Sequence, residues 1–152
     1  MITLRFVSHP GIFDLACKAA QYGFWASHCD AVMRDGRLLG ARFLGGVQAR
    51  PGDYDAGGYT REFRLDLEAN REQSDRYFNF LTSQIGKPYD AVAIVAFYSR
   101  RDWQSPDKWF CSELLGAALA ESGLFPPEMA VKFSRVTPRD MLLLASMVAK
   151  AR

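Results

Sequence analysis

Hydrophobic and polar positions alternate over the first residues of the chain and then change to a helical spacing. The alternation from Ile2 to Val7 predicts an opening strand, which His9-Pro10-Gly11 interrupts. Between Ile12 and Tyr22 the apolar residues recur at the spacing of an amphipathic helix, and Gly23 is a typical stop signal. The chain is therefore predicted to begin with a strand followed by a helix.

Turn signals in the next part of the chain indicate antiparallel strands. Asp35-Gly36 is a two-residue hairpin signal, with strand-like runs over 28–34 and 37–44 on either side. Glycine-rich residues 45–58 predict a long loop, and the alternation over 59–67 predicts another strand. Because loops of that length are often functional, the loop is a candidate lid over a cleft.

Helical patterns dominate the remainder of the chain. Apolar residues lie on one face over 68–85, and a second helix is predicted over 111–122. Thr137-Pro138-Arg139-Asp140 supplies an N-cap, a first-turn proline and an acidic residue for the last helix. The apolar run 90–98 is compatible with a helix or a strand, because periodicity alone does not distinguish them. The pattern as a whole predicts the α+β class.

Length and charge narrow the functional classes. The chain has 152 residues, of which 49% are apolar and 24% charged, so residues 1–152 are predicted to form a single domain. The net charge of +2 comes without a clustered basic face, so no nucleic-acid partner is expected. Residues 141–148 are far too short for a membrane span, and no secretory signal precedes residue 10. We therefore expect a cytoplasmic protein without an integral membrane segment; the sequence leaves its oligomeric state open.

Cysteine and histidine are sparse. The cysteines are Cys17, Cys29 and Cys111, and the histidines are His9 and His28. No Cys-x-x-Cys spacing is present, so neither a metal site nor a disulfide framework is expected, and no cofactor is predicted. Cys17 and Cys29 fit the core, and His9 precedes a proline in a turn.

Cys111 is the candidate nucleophile. It stands at the N-terminal end of the helix predicted over 111–122, where unpaired backbone N–H groups and the positive end of the helix dipole favour a thiolate. The same N–H groups are suited to hold an oxyanion. A buried cysteine that acts only as a small apolar side chain is the alternative, and the local sequence leaves both open.

His28 is the candidate base for this nucleophile. On the predicted strand it shares a face with Asp30 and Val32, whereas Cys29 points to the other side. Such a mixed face suits a cleft. A hydrogen-bonded structural histidine fits the same pattern equally well.

Five segments together resemble a known family. They are Ser27-His28-Cys29-Asp30-Ala31-Val32, the Asp35-Gly36 hairpin, Gly45-Gly46-Val47, Gly86-Lys87-Pro88-Tyr89-Asp90 and Trp109-Phe110-Cys111-Ser112-Glu113-Leu114. Their order resembles the circularly permuted branch of the NlpC-type papain-like superfamily, which includes YaeF/YiiX-like and lecithin–retinol acyltransferase-like proteins. In that branch the histidine strand precedes the cysteine helix. The resemblance covers roughly residues 1–125. It implies a papain-like fold in which a small antiparallel sheet packs against helices.

The resemblance implies a cysteine hydrolase. His28 would take the thiol proton, Cys111 would form a thioester with the acyl group, and water or another acceptor would resolve it. Tyr89 matches a family tyrosine whose phenol is suited to donate to the oxyanion, although a packed aromatic residue fits as well.

The sequence departs from the family at the residue that orients the histidine. Relatives carry a polar side chain on the strand after the histidine strand, which corresponds here to Gly40 or Ala41. Neither side chain can accept a hydrogen bond. Gln48, Asp30, a backbone carbonyl or a water molecule are the candidate substitutes.

The sequence is compatible with three functions. The first is a peptidase or amidase; the resemblance suggests cell-wall peptides as substrate, with delivery by phage lysis or a tail apparatus. The second is an acyltransferase or a lipid amide or ester hydrolase, for which Trp103, Trp109 and Phe110 would line an acyl groove. The third is a binding module that has lost catalysis, consistent with the missing polar side chain at Gly40 or Ala41.

Overall fold

The computed structural model describes residues 1–90, 107–125 and 136–150, which form a five-stranded antiparallel sheet and four helices of a mixed α+β fold. The elements in chain order are β1 (Ile2–Ser8), α1 (Ile12–Ala20), β2 (His28–Val32), β3 (Leu38–Arg42), β4 (Gly46–Arg50), β5 (Arg61–Leu67), α2 (Arg71–Ser83), α3 (Cys111–Ser122) and α4 (Pro138–Lys150). The predicted α+β class is confirmed at this level.

The sheet has the strand order β4-β3-β2-β1-β5. The hairpin between β2 and β3 turns at Gly36, whose φ of +82° suits glycine, and Met33 N–H donates to the Arg37 carbonyl at 2.8 Å. β2 is therefore the central strand, with β1 and β3 on either side. This position gives the strand that begins at His28 a fixed register on both edges.

One face of the sheet is apolar and supports the helix that begins at Cys111. Alternate residues of four strands lie in the core; they are Ile2, Leu4, Phe6, Cys29, Ala31, Leu39, Ala41 and Leu67. Helix α3 contacts β2 and β3 and contributes four fully buried apolar residues, Leu114, Leu115, Ala118 and Leu119. Helix α2 in turn packs against α3. Burial of each large side chain contributes about 1.5–3 kcal/mol, so this face fixes the position of α3.

The opposite face of the sheet, here called the charged face, carries Arg5, Asp30 and Arg42 among its residues. Arg5 on β1 is 1% exposed, and its guanidinium contacts three carboxylates: Asp30 Oδ2 at 3.3 Å, Asp55 Oδ1 at 2.9 Å and Glu62 Oε2 at 3.3 Å. A buried ion is tolerated only when it is paired and hydrogen-bonded. This part of the sheet is therefore held by charge pairs.

The prediction of one long loop over 45–58 is wrong. Strand β4 occupies the first part, because Gly45 and Gly46, with φ of +87° and +63°, make a tight turn that pairs Arg42 with Gly46. The remaining residues fold onto the charged face: the Tyr54 ring lies 4.7 Å from the Arg42 guanidinium, and Asp55 binds Arg5. The part predicted as a lid thus contacts the sheet.

The helix ends follow local signals. Helix α3 begins and ends where the sequence predicts it, and α4 has the predicted cap, since Thr137 Oγ1 accepts from the Asp140 N–H at 3.2 Å. Helix α2 is shorter than the predicted range 68–85 because Asn70 and Gln73 form a capping box. The run 91–98 and Trp103 lie outside the described residues. No helix in the described ranges is long and apolar enough to cross a membrane.

Replacement of Arg5 tests the contribution of the buried charges. We expect Arg5→Met to lower the free energy of unfolding by about 3–5 kcal/mol, because Asp30 would keep a buried charge with one cation fewer. The matched control is Arg64→Met. Arg64 is the register partner of Arg5 on β5, but its side chain is exposed. Its effect should stay within about 1 kcal/mol. Urea unfolding followed by circular dichroism measures the unfolding free energy of both variants. Equal losses of stability would contradict a special contribution from the buried charges around Arg5.

Candidate active site

Cys111 is the first residue of α3. Phe110 caps the helix in an extended conformation, and its N–H donates to Glu113 Oε2 at 3.2 Å. The first turn of the helix is thereby fixed, and its positive end lies at Cys111. Cys111 is 1% exposed.

The contact between α3 and β2 brings Cys111 to His28 and Cys29. Both residues are close enough to the Cys111 sulfur to influence its pKa. Burial would raise the pKa of the Cys111 thiol, but the neighbouring Cys29 and the charge of His28 hold that pKa well below its ordinary value. The favoured state is a thiolate beside an imidazolium.

His28 owes its positive charge to Asp30. Its Nε2 lies 2.8 Å from Asp30 Oδ1, on the strand face that the sequence predicted for both residues. Burial acts to lower the pKa of His28, yet the carboxylate of Asp30 outweighs burial and raises the pKa to about 9. Arg42 opposes this effect and Cys111 adds to it.

Asp30 is fixed through both of its carboxylate oxygens. While Oδ1 binds His28, Oδ2 lies 3.3 Å from Arg5 Nη1 and 3.3 Å from the Tyr54 hydroxyl. Burial acts against ionisation, but the charge and hydrogen bond of His28, with Arg42 and Arg5, hold the pKa of Asp30 below its ordinary range. Asp30 therefore remains a carboxylate.

Cys29 has a role that the sequence analysis missed. Strand alternation places it correctly on the apolar face, and α3 brings Cys111 to that face. Burial and the neighbouring Cys111 raise the pKa of Cys29, so its thiol stays protonated beside the Cys111 sulfur. Only the packing of the helix reveals this contact.

Tyr89 lies beside the same group. It forms a bridge with Trp109, and its ring centroid is 5.8 Å from that of Phe110. Burial, with a further contribution from the charge of Cys111, raises the pKa of Tyr89. The phenol is therefore a proton donor near Cys111.

Gln48 lies apart from this cluster. It stands on β4 opposite Gly40 in the strand register, and it is exposed, with its side-chain amide beside Gly45. The structure thus brings together Cys111, His28 and Tyr89 and leaves Gln48 outside.

A cleft of about 380 Å³ opens onto the cluster. His28, Tyr89 and Cys17 form part of its lining, and Phe13, Phe43 and Leu44 make its apolar walls. The Phe13 and Phe43 rings stack with their centroids 4.6 Å apart, joining α1 to the turn after β3. The cleft therefore offers an apolar surface next to the imidazole.

The comparisons with known proteins give no further constraint: no protein-family model matches the chain, and no curated protein matches it in sequence. All three cysteines are free. Within residues 1–90, 107–125 and 136–150, no group of three or more His, Cys, Asp or Glu side chains is placed to hold a metal ion. The chemistry of the site has to be inferred from its geometry.

Thiol alkylation at varied pH tests the state of Cys111. Because its pKa is lowered, we expect iodoacetamide to modify Cys111 well below pH ~8.5, the ordinary thiol value. Cys17 and Cys29 should lag, since burial raises the pKa of both. Peptide mapping by mass spectrometry distinguishes the three sites.

His28→Ala should abolish this early reactivity, whereas His9→Ala should preserve it, because His9 binds Asp55 and lies outside the cleft lining. Titration of Cys111 as an ordinary thiol in the unaltered protein would contradict the ion pair.

Proposed function

We propose that the protein is a cysteine-dependent hydrolase that cleaves amide or ester bonds through a Cys111 thioester, with His28 as acid and base. The observation that carries the proposal is the buried pair of His28 and Asp30, with Nε2 2.8 Å from Oδ1, on the strand that contacts the helix beginning at Cys111. A thiolate is the nucleophilic form of cysteine, and an adjacent imidazolium is a ready proton donor.

The reaction would proceed in two halves. The Cys111 thiolate attacks the carbonyl carbon, and the oxyanion receives hydrogen bonds from N–H groups in the first turn of α3 and from the Tyr89 phenol. His28 donates its proton to the leaving amine or alcohol, which leaves a thioester on Cys111. Neutral His28 then takes a proton from water, the resulting hydroxide attacks the thioester, and the thiolate is regenerated with release of the acid.

Access to Cys111 follows from the cleft. Cys111 itself is 1% exposed, while His28 and Tyr89, whose pKa values Cys111 influences, line the cleft. A carbonyl group would therefore enter past these two residues. The stacked Phe13 and Phe43 rings at the cleft wall have to separate for a bulky acyl group.

Peptide amides are the leading substrate class, and cell-wall peptides are the kind that the sequence resemblance suggests. The alternative of a binding module without catalysis loses its main support, because His28 has a hydrogen-bonded carboxylate despite the absence of a polar side chain at position 40 or 41.

Trapping of the acyl-enzyme tests the nucleophile. Incubation with an activated aryl ester and with a p-nitroanilide of a short peptide should add one acyl group to the protein, seen as a mass increase that maps to Cys111. Cys17 and Cys29 serve as internal controls, since both should remain unmodified. Cys111→Ala should abolish the adduct and turnover together. Turnover that survives this substitution would overturn the proposal.

A specific observation favours a second candidate, the hydrolysis or transfer of apolar acyl groups. The cleft walls present Phe13, Phe43 and Leu44, all of which are exposed although apolar. Exposed apolar walls next to a reactive group are suited to an apolar acyl chain.

Substitution in the wall tests this candidate. We expect Phe43→Ala to lower kcat/KM for an octanoyl ester about 10-fold or more relative to an acetyl ester, because loss of apolar contact of this size costs about 1–3 kcal/mol. Phe63→Ala is the matched control: Phe63 is 44% exposed against 50% for Phe43, but it lies on β5 away from the cleft lining. If Phe43→Ala lowers kcat/KM equally for both esters, the cleft wall does not select apolar acyl chains, and peptide amides remain the leading substrate class.

A further inference from the structure

We infer that Asp30 is the positioning residue that holds the His28 imidazole for catalysis, and that Gly40 is needed on the neighbouring strand because the Asp30 carboxylate fills the space of its side chain. The inference rests on the proposed function.

The first observation is the close approach of the two strands at this position. Ala31 pairs with Leu39, which places Gly40 next to Asp30 in the same register. A Cβ atom at Gly40 would collide with Asp30 Oδ1 and lie 3.2 Å from Asp30 Cγ and 3.3 Å from the Cys29 carbonyl oxygen. Any side chain at position 40 would therefore displace the oxygen that binds His28.

The second observation is that the backbone conformation at position 40 does not require glycine. Gly40 lies within β3 and is not among the glycines with positive φ. Glycine inside a strand costs stability, since it gains no side-chain packing and loses more conformational entropy than other residues. The space taken by the carboxylate is the remaining explanation.

The third observation is the way Asp30 is held. His28 takes Oδ1 at 2.8 Å, and Arg5 and the Tyr54 hydroxyl take Oδ2 at 3.3 Å each. With both oxygens engaged, rotation of the carboxylate would break contacts on both sides. The imidazole of His28 is consequently held in one favoured orientation.

Several charged groups face His28 and determine its proton affinity. They are Asp30 on its own strand, Arg42 on β3 and Cys111 on α3, with Arg5 on β1 behind Asp30. His9, after β1, is also nearby, but burial lowers its pKa and favours its neutral form. Asp30 is the largest influence that favours the imidazolium. Loss of its charge should therefore lower the pKa of His28 and shorten the pH range over which the thiolate and imidazolium coexist.

A double-mutant cycle tests the inference. We expect Asp30→Ala and Gly40→Ala each to reduce both the rate of Cys111 alkylation at pH 7 and kcat/KM for an activated ester. The loss in kcat/KM should be on the order of 100-fold, the scale of general acid–base assistance. The double variant should be no worse than Asp30→Ala, since the added methyl has no carboxylate left to displace. Simple additivity of the two losses, or an unchanged Gly40→Ala protein, would overturn the inference.

A second variant separates positioning from a purely structural role. Asp30→Asn retains the shape of the side chain, and we expect the alkaline limb of the alkylation profile, near pH 9 in the unaltered protein, to move to lower pH. Asp66→Asn, on exposed β5, is the matched control and should leave the profile unchanged. Thermal unfolding confirms that each variant is folded. A profile that does not move in folded Asp30→Asn would show that Asp30 only pairs with Arg5.

The alkylation readout needs no substrate, so it tests Asp30 even where turnover is absent. Failure of the proposed function appears differently, as an absent acyl adduct on Cys111 in the otherwise unaltered protein.

Discussion

The structure depends on the burial of one carboxylate. Asp30 is fully buried in the central strand of the sheet, where an uncompensated charge would be too costly to retain. Two cations offset that cost from opposite sides: Arg5 on the neighbouring strand and the imidazolium of His28. Because removal of either cation would leave charge uncompensated, the stability of the sheet and the charge state of the site are linked through the same side chain.

Side chains of β2 alternate between the two faces of the sheet. One residue, Cys29, therefore lies near the sulfur of Cys111, and the next, Asp30, binds the imidazole of His28. Cys29 belongs to the apolar face, where packing of α3 fixes the Cys111 sulfur close to the Cys29 thiol. Asp30 belongs to the charged face and raises the pKa of His28. The central position of the strand holds both functions in register, since pairing on both edges prevents a shift by one residue.

Local signals predict much of this arrangement, and tertiary contacts supply the rest. The limits of α3 and the cap at Thr137 follow from neighbouring residues, and so does the shared face of His28 and Asp30. Strand β4 was missed because glycines are typical of loops as well as of the tight turn at Gly45. The family resemblance places the residue that orients His28 at Gly40 or Ala41, and Asp30, which binds His28 in the structure, is one of the substitutes that the sequence offers. At position 40 a side chain is absent because the Asp30 carboxylate occupies its space. Only the folded strands show this close approach.

The residues of the charged face also help to distinguish a catalytic site from a site that only binds a ligand. A buried ion pair is often no more stabilising than well-packed apolar residues of similar volume, so stability alone does not account for Arg5 and Asp30 at the centre of a small sheet. A binding cleft walled by Phe13, Phe43 and Leu44 would need no thiolate beneath it. The proposed proton transfer would account for the arrangement, because it needs an imidazole of fixed orientation and raised basicity near a sulfur of lowered pKa. The buried charges, which need stabilise the fold no more than apolar residues of similar volume would, are in the positions that the proposed acyl transfer by Cys111 would require.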